Sequence, residues 1–189
     1  MATRYGTYAS ANKEAGFIHT ELAEQVQVGH VVVYPLEAVT ALQNLWLSLV
    51  VVTLQVGRRP RLIFDFKWSG LNNIAEHLSP MEAMRFGGAI LRIIKQVLTT
   101  DPYLVTVYLI KVDLADAYKR LWVRMEDVPS INCIIPKNTP NDTQLVGSHL
   151  SLPMGYIDSG TYFCMATETV VDLANKAISH RDKAGKHPL

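Results

Sequence analysis

An aspartate stands where an apolar, strand-forming stretch ends, in VYLIKVDLADAYKRLWV at positions 107–123. A carboxylate in this place, Asp113, loses hydration unless it is paired or binds a cation. Asp116 and Tyr118 follow closely, and the residues alone leave two interpretations open. In the first, Asp113 and Asp116 cap the turns that follow them and Tyr118 belongs to the core. In the second, the acid at the strand end holds a metal ion.

Other patterns that carry chemistry do not occur in the sequence. The six histidines show no metal-ligand spacing such as HxxxH, and GxxxxGK[ST], GxGxxG and GxSxG are missing. Single core or surface histidines are the simpler interpretation. Basic residues cluster at 58–61 and 119–124, which is typical of solvated faces.

The composition predicts a folded, nearly neutral protein. The chain has 189 residues, of which 49% are hydrophobic, and a formal charge of +1. This excludes a disordered chain, and any nucleic-acid site must rest on local charge. Cys133 and Cys164 lack CxxC spacing, which favours a reducing, intracellular environment. The N-terminus lacks the apolar core of a signal peptide. The apolar stretch 45–56 is shorter than the roughly 20 residues that cross a bilayer. We therefore expect no membrane partner.

Hydrophobic periodicity predicts a mixture of helices and hairpin-like strands. HTELAEQVQVGHVV indicates a helix closed by Gly29, and 45–56 with RLIFDFKW (61–68) indicates an antiparallel hairpin. In that hairpin we expect Leu62, Phe64, Phe66 and Trp68 to face the core. Further along, the pattern predicts a helix at 79–98 that begins with a capping box at Ser79, strand-like stretches at 107–112, 120–125 and 130–136, and a helix at 158–179. The fold class is α+β.

Three of these stretches occur in the order and spacing of reverse-transcriptase motifs. They are RLIFDFKWSGLNN, KVDLADAYKRLWV and LSLPMGYIDSGTYF. From about Gly16 onward, the chain resembles the fingers and early palm of a retrotransposon reverse transcriptase, an RNA-directed DNA polymerase. The resemblance implies one reverse-transcriptase-like region over 1–189, with mixed, mostly antiparallel strands and packed helices.

The resemblance also implies roles for the second motif, KVDLADAYKRLWV (111–123), called the acidic segment below. Asp113 is similar to the first metal-binding carboxylate of the palm, where two Mg²⁺ ions would activate the primer 3′-hydroxyl and stabilise the leaving pyrophosphate. The backbone carbonyl of Leu114 would help to hold the metal on the nucleotide side. Asp116 and Ala117 resemble the positions whose backbone amides contact the incoming triphosphate.

Four further residues complete the nucleotide site that the resemblance implies. Tyr118 matches the steric gate that excludes a 2′-hydroxyl. Arg61 corresponds to the arginine that lies over the incoming nucleotide, and its guanidinium suits phosphate and base stacking. Met154 and Gly155 match the loop at the 3′ side of the nucleotide. The implied partners are a primer–template and a deoxynucleoside triphosphate.

The sequence departs from the family at a further motif, which follows these three. Tyr-x-Asp-Asp, which supplies the other metal carboxylates, does not occur in the sequence. We therefore expect a polymerase fragment that is truncated before this motif, without the remaining palm and the thumb, and inactive alone. The alternative is a non-catalytic remnant or nucleic-acid-binding module that keeps the fold.

Overall fold

The structure is a computed structural model that describes residues 7–75, 91, 94–95, 97–101, 103 and 114–179. By their contacts, the residues form two compact units. The first comprises Met1–Glu76 with Asp116–Ser159, and the second comprises His77–Ala115 with Gly160–Leu189. The architecture is α+β, as the sequence predicts, and the first unit contains the sheet.

A five-stranded, mostly antiparallel sheet forms the centre of the first unit. Its strands are β1 (Val31–Pro35), β2 (Leu47–Gln55), β3 (Arg58–Asp65), β4 (Asn132–Ile135) and β5 (Leu145–His149), in the spatial order β1-β5-β4-β2-β3. The pair β2–β4 is parallel, and the other neighbours are antiparallel. The hairpin β2–β3 and the strand at 130–136 agree with the sequence analysis.

Short helices surround the sheet in the described part of the first unit. They are α1 (Ala9–Lys13), α2 (Ala15–Gln27), α3 (Leu36–Val39), α4 (Phe66–Ser69) and α5 (Leu71–Ile74), with 3₁₀ helices at Ala117–Arg120 and Val128–Ser130. Helix α2 ends as predicted. Gly29 has a φ of +80°, and its N–H and that of His30 donate to the carbonyls of Val26 and Gln25 at 3.0 and 2.9 Å. These two bonds form a Schellman motif.

The main core joins α2 to one face of the sheet. Ala15, Ile18 and Leu22 recur at helical spacing and are buried, together with Val50 and Phe64 of the hairpin. Full burial of a side chain such as Ile18 or Leu22 contributes about 1.5–3 kcal/mol. A smaller cluster on the opposite face contains Leu49 and Ile134, with Tyr8, Leu47 and Trp68 packed against them.

The hairpin differs from the sequence analysis at its end. Alternation of apolar residues predicts a strand through Trp68, but β3 ends at Asp65 and the chain turns into α4. Phe64 and Phe66 are buried as expected, whereas Trp68 packs into the smaller cluster. The alternating stretch at 120–125 forms a single bridge, Trp122 with Ser151, rather than a strand.

The second unit contains most of α6 (Ser159–Ser179), the helix predicted at 158–179. Helical spacing places Val170 and Leu173 on one apolar face of this helix, but their side chains are 65% and 60% exposed. The described residues at 91, 94–95 and 97–99 are helical, as the pattern predicts. The Ser79 capping box and the strand-like stretch 107–112 lie outside the described residues.

Candidate functional site

Strand β3 ends at a carboxylate that organises the turn after it. The Asp65 side chain accepts a hydrogen bond from the Trp68 backbone N–H and another from the Tyr8 hydroxyl, both at 2.8 Å. The first bond makes Asp65 the N-cap of α4, because it satisfies an amide that the first helical turn leaves unpaired. The second bond raises the pKa of Tyr8. This cap directs the chain out of the sheet and toward α5.

The loop that contains Met154 and Gly155 lies directly against the end of β3. Gly155 has a φ of +106°, and a Cβ at this position would lie 2.4 Å from the Phe64 carbonyl oxygen. No side chain fits between the two backbones, so glycine is required both for the conformation and for the approach. The neighbouring Met154 side chain is 53% exposed. The first and third motif segments are therefore in contact.

Asn72, at the start of α5, bonds to the same loop twice. Its side-chain Nδ2 donates to the Gly155 carbonyl oxygen at 3.0 Å, and its Oδ1 accepts from the Ile157 N–H at 3.1 Å. The loop therefore receives a donor and an acceptor from one amide group. This role of Asn72 has no signal in the sequence, because nothing local in LNN indicates a partner more than eighty positions away.

The acidic segment continues into a strand-like pairing with the residues that precede the loop. The Val123 N–H donates to the Leu150 carbonyl at 2.8 Å, and the Leu152 N–H donates to the Leu121 carbonyl at 2.9 Å. These bonds flank the Trp122–Ser151 bridge. Because 117–123 and 150–157 are joined here, and 150–157 also contacts β3, parts of all three motif segments meet in the first unit.

The predicted triphosphate and sugar residues lie on a short 3₁₀ helix. Asp116 takes the N-cap position with a φ of +53° and a ψ of +36°, an uncommon left-handed conformation for a residue other than glycine. No side-chain capping bond forms there; the Asp116 carboxylate instead pairs with Lys119 at 3.1 Å. Ala117 and Tyr118 are half-buried. The capping interpretation is therefore right about the position of Asp116 and wrong about its bond.

Arg61 lies on β3, opposite Thr53 of β2, and its side chain is exposed. It makes no hydrogen bond or ion pair with another described residue. Alternation places it on the sheet face of Asp65, and not on that of Phe64. The structure therefore brings Met154 and Gly155 to the end of β3, but it does not bring Arg61 into bonding contact with them.

The other basic side chains differ in how far they are already paired. Arg59 pairs with Glu21 and, at 3.1 Å, with Glu24 of α2, and this raises its pKa. Arg124 pairs with Asp127 at 2.8 Å and with Glu126 at 3.0 Å. Neither arginine is therefore an unpaired cation that awaits a phosphate.

A buried aromatic cluster lies beneath the loop. The His149 ring lies 4.3 Å from that of Phe64 in an edge-on arrangement and 6.3 Å from that of Phe66. Phe66 in turn contacts Tyr156, with ring centroids 6.4 Å apart. Burial, and to a lesser extent Lys119, lowers the pKa of His149 to about 3. His149 is thus a neutral core histidine, in accordance with the simpler interpretation.

The residues expected to bind magnesium are only partly described. Asp113 lies outside the described residues, and Leu114, the first residue of the segment 114–179, is 47% exposed. Within the described residues, no group of three or more His, Cys, Asp or Glu side chains could hold a metal ion. The described helices also include none with the length and apolar character to cross a membrane.

A scan against protein-family models finds no match for this chain, and a search of curated proteins finds none either.

Proposed function

We propose that this chain is part of a retroelement RNA-directed DNA polymerase, in which its first unit forms the binding site for the incoming nucleotide. The observation that supports this most is the meeting of three segments that are far apart in the sequence. Gly155 lies on the Phe64 carbonyl, and Leu152 bonds to Leu121. These are the segments that carry the resemblance to reverse transcriptases.

Each residue then has a role that its chemistry suits. The backbone amides of Asp116 and Ala117 bind the triphosphate, since a left-handed residue in a turn is one part of an anion-binding nest. Tyr118 packs under the sugar and excludes a 2′-hydroxyl. Arg61 is exposed and carries no ion pair with a described residue, so its guanidinium is available for phosphate or base.

Catalysis requires more than this site. When bound, two Mg²⁺ ions would supply activation of the attacking hydroxyl and stabilisation of the leaving group, and by the resemblance Asp113 and the Leu114 carbonyl would contribute ligands. The sequence lacks the Tyr-x-Asp-Asp carboxylates. The chain by itself is therefore proposed to bind nucleotides without polymerising them.

Nucleotide titrations of the isotope-labelled chain test the proposal. In heteronuclear NMR spectra recorded with MgCl₂, dATP should shift the amides of Asp116–Tyr118 and Met154–Gly155, and ATP should bind more weakly. Tyr118→Ala should reduce the preference for dATP over ATP, whereas Tyr103→Ala, at an exposed tyrosine outside the proposed site, should not. If dATP shifts none of these amides, the proposal is wrong.

Primer extension provides the complementary test. The purified chain should incorporate no labelled nucleotide on an RNA template with Mg²⁺ or Mn²⁺. Template-dependent incorporation that Asp113→Asn abolishes would contradict this expectation. Binding of a primer–template without any nucleotide binding would instead favour the non-catalytic nucleic-acid module.

A further inference from the structure

The Asn72 side chain binds two backbone groups of the loop at once. Its Nδ2 donates to the Gly155 carbonyl oxygen at 3.0 Å, and its Oδ1 accepts from the Ile157 N–H at 3.1 Å. One side chain can make both bonds because a primary amide carries donors and an acceptor. The backbone on either side of Tyr156 is therefore joined to α5 by a single residue.

The bonds act on the loop where it lies against β3. The Gly155 backbone is close to the Phe64 carbonyl oxygen, which a Cβ would approach to 2.4 Å. Ser159 adds a third fixed point, because its hydroxyl donates to the Pro153 carbonyl at 2.8 Å. Asn72 is the connection that ties Gly155 and Ile157 to α5 and therefore to the β3 segment.

We propose that Asn72 is a positioning residue that holds the Met154–Gly155 backbone where it meets the 3′ side of the incoming nucleotide. This inference rests on the proposed function. It adds a residue to which the resemblance gave no role. It also predicts which contact to the nucleotide is lost when the two Asn72 bonds, the Asn72 clamp, are removed. Loss of Asn72 weakens the discrimination of the 3′-hydroxyl, while the triphosphate contacts of Asp116 and Ala117 are unaffected.

The chain offers a matched control next to Asn72. Asn73 is exposed on the same short helix, and its side chain makes no hydrogen bond with a described residue. Asn73→Ala therefore removes the same atoms from α5 without touching the loop. A third variant, Asn72→Asp, keeps an acceptor for the Ile157 N–H but removes the donor to Gly155.

The first measurement concerns the clamp itself and does not depend on any ligand. Amide hydrogen exchange at Ile157 should become about tenfold faster in Asn72→Ala, since a bonded amide loses its acceptor. Asn72→Asp should retain most of the protection, and Asn73→Ala should match the wild type. Unchanged exchange in Asn72→Ala would show that Asn72 does not hold the loop.

The second measurement compares dATP with 2′,3′-dideoxy-ATP. The wild type should bind dATP more tightly than the dideoxy nucleotide. In Asn72→Ala the ratio of the two dissociation constants should fall about fivefold or more, and in Asn73→Ala it should stay the same. A general loss of stability would weaken the binding of both nucleotides equally and leave the ratio unchanged. If the wild type binds dATP and Asn72→Ala keeps the ratio, the inference fails while the proposed function stands. If the wild type binds neither nucleotide, the proposed function fails, and the nucleotide role of Asn72 fails with it.

Discussion

The ionisation of His149 is coupled to folding. Its ring is buried against Phe64 and Phe66, and its Nε2 has no hydrogen-bond partner among the described residues. Because burial penalises the charged form, the pKa falls from 6.5 to about 3. The unfolded chain therefore binds a proton in a pH range where the folded chain does not.

This sign determines the expected pH dependence. The neutral ring contributes its full stability above pH about 6.5, and that stability is lost as the pH falls toward 3. The free energy of unfolding should decrease by up to about 1.4 kcal/mol per pH unit in this window. Urea denaturation at pH 7, 6 and 5 measures the slope, and His149→Phe should remove this part of it. Equal slopes in both proteins would contradict the buried neutral ring.

The two cysteine thiols should differ in their reactivity. Cys133 is buried in β4, and burial raises its pKa to about 12; the Cys164 pKa is raised by partial burial and, to a lesser extent, by Glu168. We expect a thiol reagent at pH 8 to label Cys164 in the native protein and Cys133 only after denaturation, because the thiolate is the reactive form and Cys133 is fully buried. Mass spectrometry of the labelled chain gives the site, and Cys164→Ser should leave a native protein that scarcely reacts. Rapid native labelling of Cys133 would contradict the packing of β4.

At the scale of the elements, the loop at Gly155 leaves the least room for a side chain among the glycines that the structure describes. An alanine there meets both an unfavourable φ and the Phe64 carbonyl, whereas Gly29 has a positive φ but open space around it. Gly29→Ala should cost about 1 kcal/mol of unfolding free energy, and Gly155→Ala about 2–4 kcal/mol. Chemical denaturation of both variants checks the difference. Equal costs would show that the loop does not lie on β3.

Local patterns predicted the elements that local bonds define. Gly29 closes α2 through its own helix, and the hairpin β2–β3 follows from alternation and a short turn. The predicted end of β3 was wrong, because Phe66 and Trp68 continue the alternation of apolar residues, while the Asp65 side chain caps a new helix. In a sequence, a capping aspartate cannot be distinguished from an outward-facing one.

The site could be predicted only in part for a related reason. Met154, Gly155 and Tyr118 stood out through motif resemblance, but the role of Asn72 depends on a loop more than eighty positions away. In the sequence, His149 does not differ from the other five histidines, and only the structure shows its ring packed near Phe64 and Phe66. Long-range contacts have no local signature, so these roles required the structure.

At the scale of the whole molecule, charge limits how strongly the chain can bind nucleic acid. The formal charge is +1, and Arg59 and Arg124 are committed to carboxylates. Arg58, Arg61 and Lys67 are exposed and form no ion pair with a described residue. If these three alone neutralise phosphates, few counterions are released on binding.

Binding to a primer–template duplex should therefore be weak, and the logarithm of its constant should fall with the logarithm of salt with a slope of about −3 or shallower. Arg61→Gln should reduce the slope by about one, while Arg59→Gln, which removes a paired cation, should change it little. Fluorescence anisotropy at several salt concentrations measures both. Tight binding that ignores salt would contradict this interpretation.

The strand order of the sheet also determines when the candidate site forms. The hairpin β2–β3 closes through two residues and can form within microseconds, whereas β1 pairs with β5, and β2 with β4, between residues that are far apart in the sequence. During synthesis, residues 7–75 leave the ribosome well before β4 and β5. The edge of β2 that pairs with β4 therefore has unpaired backbone groups during this time. Asn72 and Phe64 likewise lack their contacts until Gly155 has been made. Until β4 has been made, this edge of β2 is an unpaired strand edge, which is the kind of surface that pairs with other chains.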